Sequence, residues 1–281
     1  MSLYVNLTRA PFFVIAGPCV MEGMEMMSEV AAELVRLKKE LHKQGLEIPI
    51  VFKASFDKAN RTSIDAYRGP GLDKGLDWLA GVKQRFGFPL TTDIHEPAQA
   101  DQVAEVVDII QIPAFLSRQT DLITAAARTS KIVNIKKGQW MSGHDMAHVV
   151  EKVYSVGNRH VLLTERGNYF GYADLIVDFR NISWMQSLNV PVVMDCTHSV
   201  QMPPSGKGHT GGNRRFVHPI ALAAQAFGAR GFFFEVHPDP PQARSDRSTQ
   251  ISPTVLRTIL FDLAKRHILL STGKVPDSTT I

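Results

Sequence analysis

Eight short apolar runs of strand type, separated by segments with helical spacing, constrain the fold of this chain more than any other feature. Helical spacing is clearest in residues 26–44 and 255–270, where apolar side chains recur on one face. Because eight strand-helix units follow one another without a Ser-, Pro- or Gly-rich linker, they favour a closed (β/α)8 TIM barrel, a single domain over residues 1–281, rather than an open doubly wound sheet. The runs are FFVIAG from Phe12, IVFKA from Ile50, PLTTDI from Pro89, VDIIQIP from Val107, IVNIKK from Ile132, HVLLTER from His160, PVVMDC from Pro191 and GFFFEV from Gly231.

The composition limits the classes of partner. Hydrophobic residues make up 44% of the chain and charged residues 21%, which leaves enough apolar surface for a large core. The net charge is +4, but the Lys and Arg residues are scattered, which indicates a pocket for small anions and argues against nucleic acid. No apolar run approaches the about 18 residues of a membrane span, and the N-terminal stretch reads as a first strand and not as a signal sequence. With two cysteines and no export signal, we expect a cytoplasmic protein with reduced thiols.

Each strand-like run ends in, or is followed at once by, a side chain capable of chemistry. In a closed barrel all eight strands open onto the same face at their C-terminal ends, so these side chains would ring one pocket. Chance placement of costly polar groups at eight separate strand ends is the weaker explanation. The residues are Cys19, Lys53, Lys58, Asp93, His95, Gln111, Lys136, Arg166, His198 and Glu235.

Four residues, three of them at the strand ends just named, offer metal ligands. Cys19, His198, Glu235 and Asp246 combine sulfur, nitrogen and carboxylate donors, a mixture that suits zinc, iron or manganese at a site with room for water or substrate. Spacing alone favours a different interpretation of Cys19, as a small buried apolar residue after the Gly-Pro turn. We expect Cys196, two residues before His198, to be core packing on the same strand face, one layer deeper in the barrel.

The Lys and Arg side chains expected at the pocket are more numerous than the structure of a barrel requires, because Lys and Arg are rarely buried without a partner. Phosphate and carboxylate groups are their natural ligands, so the set suits a substrate pair with two phosphates and a carboxylate. A surface salt bridge is the alternative for Arg118, which comes early in a helix, and Lys137 is expected to be structural or paired. The pocket set is Lys53, Lys58, Arg61, Lys136, Arg166 and, with that alternative open, Arg118.

Eight segments resemble those of the 3-deoxy-D-manno-octulosonate 8-phosphate synthase family, in the same order and over nearly the whole chain. The family has a (β/α)8 barrel and joins phosphoenolpyruvate to D-arabinose 5-phosphate, with release of phosphate, on the route to the inner-core sugar of lipopolysaccharide. The resemblance therefore implies this fold and this activity. The segments are AGPC, KASFDKANRTS, TDIHE, QIPAFLSRQTDL, NIKKGQ, ERGNYFGY, DCTHSVQ and EVHPDPPQARSD.

The resemblance also implies roles for single residues. Cys19 matches the metal-dependent branch of the family, because the other branch has Asn there and needs no metal, so the resemblance reverses the interpretation from spacing. His198, Glu235 and Asp246 would complete the site for the divalent ion. Arg118 would arrive from a neighbouring subunit of a homotetramer. Phosphoenolpyruvate would be held by Lys53, Lys58, Gln111, Lys136 and Arg166, and the aldose and its phosphate by Asn60, Arg61 and Thr62.

The expected reaction is attack of the enol carbon on the aldehyde while water adds to the adjacent carbon, followed by loss of phosphate. The metal could polarise the aldehyde or activate the water. Asp93 is expected to bind the aldose or to assist proton transfer, and His95 is either a participant or a hydrogen-bonded residue of the barrel mouth. Long loops at residues 201–216, with glycines at 206, 208, 211 and 212, and at 237–252 are expected to close over the substrate. The catalytic set is Lys58, Asp93, His198 and Asp246.

Three rival functions are open. The sister family, 3-deoxy-D-arabino-heptulosonate 7-phosphate synthase, shares the barrel and the metal set but uses erythrose 4-phosphate, and it typically carries Pro-Arg-Thr where this chain has Ala59-Asn60-Arg61-Thr62. A Schiff-base aldolase with Lys136 or Lys53 as nucleophile belongs to another class. A binding protein without catalysis would not need metal ligands beside a phosphate pocket.

Overall fold

The chain forms a closed barrel of eight parallel strands in a computed structural model, which describes residues 1–169, 174–203 and 211–272. Each strand pairs with its neighbours in sequence, and the last pairs with the first, so the predicted TIM barrel is confirmed. That residues 1–281 form one domain stays a prediction. The strands are β1 (Phe13–Gly17), β2 (Ile50–Lys53), β3 (Leu90–Asp93), β4 (Ile109–Ile112), β5 (Ile132–Lys136), β6 (Val161–Glu165), β7 (Val192–Asp195) and β8 (Gly231–Glu235).

Helices α2 to α9 cover the outside of the barrel. The predicted apolar face of α2, including Val30, Leu34 and Leu37, is buried, because a period of 3.6 residues turns these side chains toward the strands. No helix in the described ranges is long and apolar enough to cross a membrane. The helices are α1 (Leu3–Arg9), α2 (Met24–Lys43), α3 (Leu72–Phe86), α4 (Ala100–Val106), α5 (Thr120–Arg128), α6 (Met146–Tyr154), α7 (Arg180–Gln186), α8 (Val217–Ala226) and α9 (Pro253–Thr272).

The strands separate two apolar layers. Alternate residues such as Phe13 and Ile15 of β1 fill the barrel interior, while Val14 and Ala16 pack outward against the helices. The interior layer ends below the C-terminal strand ends, where the inward positions become polar. This alternation carries the side chain of the last residue of β2, Lys53, into the barrel mouth.

Helix α1 closes the opposite end of the barrel and was not predicted, since the sequence indicated only a strand in this region. Leu7 is fully buried in the interior layer, and the Tyr4 hydroxyl donates to the carbonyl of Val161 at the start of β6, 3.1 Å away. The Ser2 hydroxyl caps the first turn by accepting from the Val5 amide. The N-terminal segment is thus a plug that keeps water from the interior layer.

Cys196 is buried core, as predicted, but it does not occupy the predicted layer. Strand β7 ends at Asp195, and a short 3-10 turn at His198–Val200 follows, so alternation is not continued to His198. Cys196 packs in the outer layer, and Asp195 holds the inward position instead.

Two short antiparallel pairs stand at the barrel mouth, Asn168–Tyr169 with Leu175–Ile176 and Gln201–Met202 with Gly211–Gly212. Residues 204–210, which include Gly206 and Gly208 of the predicted lid, lie outside the described residues.

Candidate active site

A cavity of 1420 Å³ opens at the C-terminal ends of the strands. It brings together nearly all residues that the sequence assigned to the pocket. Cys19 is buried and does not line the cavity, but its Sγ contacts Ser245 and Asp246, which do. Arg118 is exposed and is not among the described residues that line the cavity. The predicted residues in the lining are Lys53, Lys58, Asn60, Arg61, Thr62, Asp93, His95, Gln111, Lys136, Arg166, His198, Glu235 and Asp246.

Cys19, Glu235 and Asp246 form an anionic cluster whose ligand atoms all lie within 4.8 Å of one another. The Cys19 Sγ is 3.0 Å from Asp246 Oδ2 and 2.9 Å from the Ser245 hydroxyl. Burial, together with the charges of Asp246 and Glu235, raises the pKa of the Cys19 thiol well above its ordinary value. Glu235 Oε2 is buried and has no hydrogen-bond partner among the described residues. A divalent cation would satisfy this oxygen and stabilise the thiolate, so the cluster fits a metal ion.

His198 lies beside this cluster, and its Nε2 faces the two carboxylates. Its Nδ1 is 2.8 Å from Asp195 Oδ2, and its Nε2 is 3.5 Å from Glu235 Oε1 and 3.8 Å from Asp246 Oδ2. With Nδ1 hydrogen-bonded to Asp195, Nε2 is turned toward the cluster, which is the orientation that a metal-binding histidine requires.

Asp246 is held in a costly backbone conformation. Its φ is +44°, in the left-handed region that non-glycine residues rarely adopt, and such strain concentrates at functional sites. The side-chain amide of Gln201 donates to Asp246 Oδ1 at 2.9 Å. The backbone amides of Thr249 and Gln250 donate to the Asp246 carbonyl at 2.9 and 3.0 Å. The loop therefore holds the carboxylate over Cys19.

Buried cations stand beside the anionic cluster. The Lys53 ammonium, 1% exposed, donates to Glu235 Oε1 at 2.7 Å and to the Cys19 carbonyl at 2.8 Å. Burial alone would raise the pKa of Glu235, but the surrounding positive charges, led by His198 and Lys53, hold this pKa well below its ordinary value. Burial would lower the pKa of Lys58, but the electrostatic interactions of Lys58 with Cys19 and with the Glu235 carboxylate raise it. Glu235 is thus a carboxylate and Lys58 an ammonium at neutral pH.

Two further groups present donors to the cavity. Arg166 donates through Nη2 to Gln201 Oε1 at 2.9 Å, while its buried Nη1 has no partner among the described residues. The Asn134 amide donates to Gln111 Oε1 at 3.3 Å, so the Gln111 NH2 group turns to the cavity. Both arrangements leave donors free for an anion.

The loop after β2 forms the outer wall. Asn60 and Thr62 are exposed, and Arg61 donates through Nε to the Tyr67 carbonyl at 3.1 Å while its buried Nη2 has no partner among the described residues. Across the mouth, Asp93 Oδ2 is 3.2 Å from His95 Nε2. Burial alone would raise the pKa of Asp93, but the hydrogen bond from His95 lowers it well below its ordinary value.

Lys137 points away from the cavity and is structural, as predicted. Its ammonium is fully buried and donates to Asn168 Oδ1 at 2.7 Å and to the Met141 carbonyl at 2.9 Å. Glu165 Oε1 is 3.6 Å away and accepts from the backbone amide of Arg166. This network supports the backbone that carries Arg166.

Sequence reasoning missed several residues of the site: Asp195, Gln201, Arg244, Arg247 and Gln250. Asp195 had a usable signal, since it ends a strand three residues before His198. Arg244 lies 3.7 Å from the Tyr67 ring centroid and lines the cavity, but its place depends on a loop contact that spacing does not reveal.

Known proteins resemble this chain over most of its length. The DAHP synthetase I family model matches residues 8–270. A protein of Desulfatibacillum aliphaticivorans named 2-dehydro-3-deoxyphosphooctonate aldolase is 51% identical over 254 residues, which cover 90% of this chain and 91% of the relative. Proteins of the same name from Syntrophotalea carbinolica (52% identity, 86% of this chain and 85% of the relative) and Rickettsia bellii (49% identity, 91% of each) are similarly close.

Proposed function

The chain belongs to the DAHP synthetase I family, beside relatives named 2-dehydro-3-deoxyphosphooctonate aldolase, and from this we propose that it is a synthase of lipopolysaccharide sugar biosynthesis. It condenses phosphoenolpyruvate with D-arabinose 5-phosphate and water, which gives 3-deoxy-D-manno-octulosonate 8-phosphate and phosphate. The observation that carries this proposal is the convergence, at one cavity, of buried cations with the cluster of Cys19, Glu235 and Asp246, beside which His198 lies. Such a cavity suits two phosphorylated substrates and an electrophilic aldehyde.

Carbon count selects the aldose. The octonate in the relatives' name has eight carbons, and phosphoenolpyruvate supplies three of them, so the aldehyde supplies five. Erythrose 4-phosphate, the substrate of the sister activity, would give a seven-carbon product. The loop Ala59-Asn60-Arg61-Thr62, with its exposed Asn60 and its free Arg61 Nη2, offers the aldose an amide and a cation.

Phosphoenolpyruvate lies against the buried cations. Its phosphate and carboxylate charges are balanced by the ammonium and guanidinium groups, and Gln111 adds an amide donor. These groups also stabilise the phosphate that leaves when the hemiketal collapses. The binding set is Lys53, Lys58, Gln111, Lys136 and Arg166.

Cys19, His198, Glu235 and Asp246 would hold a divalent metal such as zinc, iron or manganese. When bound, this ion supplies Lewis-acid polarisation of the aldehyde or lowers the pKa of the attacking water. The carboxylate of Asp93 accepts a hydrogen bond from an aldose hydroxyl, and Asp246 takes a proton from the water; the position of both residues in the cavity lining supports these roles. Lys58, positively charged beside Glu235, stabilises negative charge that develops on the substrate.

A homotetramer places Arg118 in the site of a neighbouring subunit. The exposure of Arg118, and its position outside the lining of its own cavity, support this arrangement. A cytoplasmic location belongs to the same proposal and is supported by the two buried free thiols.

A Schiff-base aldolase is disfavoured by the partners of its two candidate lysines. Such a nucleophile must be a neutral amine. Lys53 donates to Glu235, and Lys136 donates to Asp195 at 2.6 Å. Burial lowers the pKa of Lys136, but the Asp195 carboxylate opposes this shift and favours the ammonium. Borohydride trapping in the presence of phosphoenolpyruvate and aldose phosphate should leave the protein mass unchanged. A borohydride-dependent adduct would support the rival.

The substrate assignment is tested by supplying phosphoenolpyruvate with aldose phosphates of four, five and six carbons, and measuring the masses of the products. We expect rapid formation of the eight-carbon acid from D-arabinose 5-phosphate. Preferential formation of the seven-carbon acid would assign the chain to the sister activity, and binding of phosphoenolpyruvate without any product would indicate a binding protein.

A further inference from the structure

Asp195 contacts both His198, beside the anionic cluster, and Lys136, among the buried cations. It is the last residue of β7 and is fully buried. Its Oδ1 accepts from the backbone amides of Thr197 at 3.1 Å and His198 at 2.9 Å. Its Oδ2 accepts from the Lys136 ammonium at 2.6 Å and lies 2.8 Å from His198 Nδ1. Each carboxylate oxygen therefore has two donors.

Backbone hydrogen bonds determine which carboxylate oxygen of Asp195 faces Lys136 and His198. Because two peptide amides hold Oδ1, the carboxylate cannot rotate, and Oδ2 must face both Lys136 and His198. The Lys136 ammonium is confined further, since it lies 3.7 Å from the centroid of the Phe233 ring. Asp195 Oδ2 thus contacts both the Lys136 ammonium and the Nδ1 of His198.

We propose that Asp195 is a positioning residue that uses Oδ2 to hold His198 as the Nδ1-protonated tautomer and to aim Lys136 into the cavity. This inference rests on the proposed function, in which His198 binds the metal and Lys136 binds phosphoenolpyruvate. A histidine ligand needs its metal-facing nitrogen free of a proton, and a carboxylate on the other nitrogen secures this. Asp195 thereby supports both the metal ligand and the substrate-binding lysine.

Asp195→Asn separates the two effects of the carboxylate. The two backbone amides still require an acceptor, so the Asn oxygen takes the place of Oδ1 and its NH2 group takes the place of Oδ2. This group donates to His198 Nδ1, which moves the imidazole proton to Nε2, and it opposes the Lys136 ammonium with a second donor. Metal affinity should fall about 10- to 100-fold, the usual effect of losing such a partner.

Cobalt(II) is the probe, because a cysteine thiolate gives bound cobalt a charge-transfer absorption band. We would titrate metal-free wild type, Asp195→Asn and Asp262→Asn with cobalt(II) alone. Asp262 is a matched control: it lies 2.9 Å from the imidazole of His218, on the outside of the barrel. The expected result is weaker cobalt binding only in Asp195→Asn. Equal affinity in all three proteins would overturn the inference and leave the proposed function standing.

Two further measurements are needed. The first uses wild type alone, so it works even if Asp195→Asn folds poorly, and the second distinguishes positioning of Lys136 from a merely structural role. In metal-free wild type labelled with ¹⁵N-histidine, and assigned with His198→Gln, the nitrogen shifts should show a proton on Nδ1 of His198; a proton on Nε2 alone would overturn the inference. With saturating cobalt, Asp195→Asn should raise the KM for phosphoenolpyruvate more than the KM for the aldose phosphate, and equal changes would refute the role toward Lys136. Failure of wild type to release phosphate would refute the proposed function, whatever the cobalt spectra show.

Discussion

Replacing Lys137 with Met tests whether a buried ion pair supports the backbone that carries Arg166. The Lys137 ammonium is fully buried, donates to Asn168 and Met141, and lies 3.6 Å from Glu165 Oε1. Methionine fills a similar volume but leaves Glu165 without its counter-charge. The change therefore isolates the ammonium from the packing of the side-chain stem.

The expected loss is large. Removing one partner of a buried ion pair costs about 3 to 5 kcal/mol, because the remaining charge stays in a poorly solvated environment. For a chain of this length a change of 1 kcal/mol moves the melting temperature by about 2 °C, so Lys137→Met should melt about 6 to 10 °C below wild type.

The loss should depend on pH in a defined direction. Burial raises the pKa of Glu165 in the folded protein, while Lys137 opposes the rise, so removal of Lys137 raises this pKa further. A carboxyl group with a raised folded-state pKa stabilises the fold below its unfolded pKa of about 4.3, and that stabilisation is lost as the pH rises through the folded-state pKa. The variant should therefore be destabilised more at pH 8 than at pH 5.

Urea unfolding followed by circular dichroism at the two pH values measures both effects. The double variant Lys137→Met, Glu165→Gln is the control, since it removes the buried charge and should recover part of the stability at pH 8. A loss below about 1 kcal/mol in Lys137→Met, the same at both pH values, would refute the buried ion pair.

Three other variants probe the plug, the aldose wall and the subunit contact. Leu7→Ala should lower the free energy of unfolding by about 2 to 5 kcal/mol because Leu7 is fully buried, and an unchanged urea midpoint would contradict the role of α1. Arg61→Lys should raise the KM for the aldose phosphate about tenfold in steady-state assays and leave the KM for phosphoenolpyruvate unchanged, because Lys lacks the second guanidinium donor. Equal rises in the two KM values would contradict a place for Arg61 in the aldose site. Arg118→Ala should be nearly inactive at unchanged stability, and mixing its unfolded chains with those of Lys53→Met before refolding should restore activity, because hybrid assemblies contain complete sites. No recovery in refolded mixtures would refute a shared site.

Much of the site could be predicted because alternation along a strand is strict. Lys53, Asp93, Lys136 and Glu235 are each the last residue of a barrel strand, and all four line the cavity. Once eight strands were recognised, the topology alone required these side chains to meet.

The contacts between loops could not be predicted. Cys19 reads from spacing as a buried apolar residue, because its partner Asp246 lies 227 residues further along the chain. The roles of Gln201 and Gln250 could not be predicted for the same reason, because contacts between loops distant in sequence determine their positions. Helix α1 escaped notice because its seven residues are too short to show a helical period.

The most direct test of the account is phosphate release from phosphoenolpyruvate and D-arabinose 5-phosphate by wild type and Cys19→Ser, before and after treatment with a chelator and restoration of metal. We expect wild type to lose activity with the chelator and to recover it with zinc, iron or manganese, and Cys19→Ser to need much more metal for any recovery. Full wild-type activity after complete removal of metal would contradict the role given to Cys19, and activity only with erythrose 4-phosphate would contradict the assigned reaction.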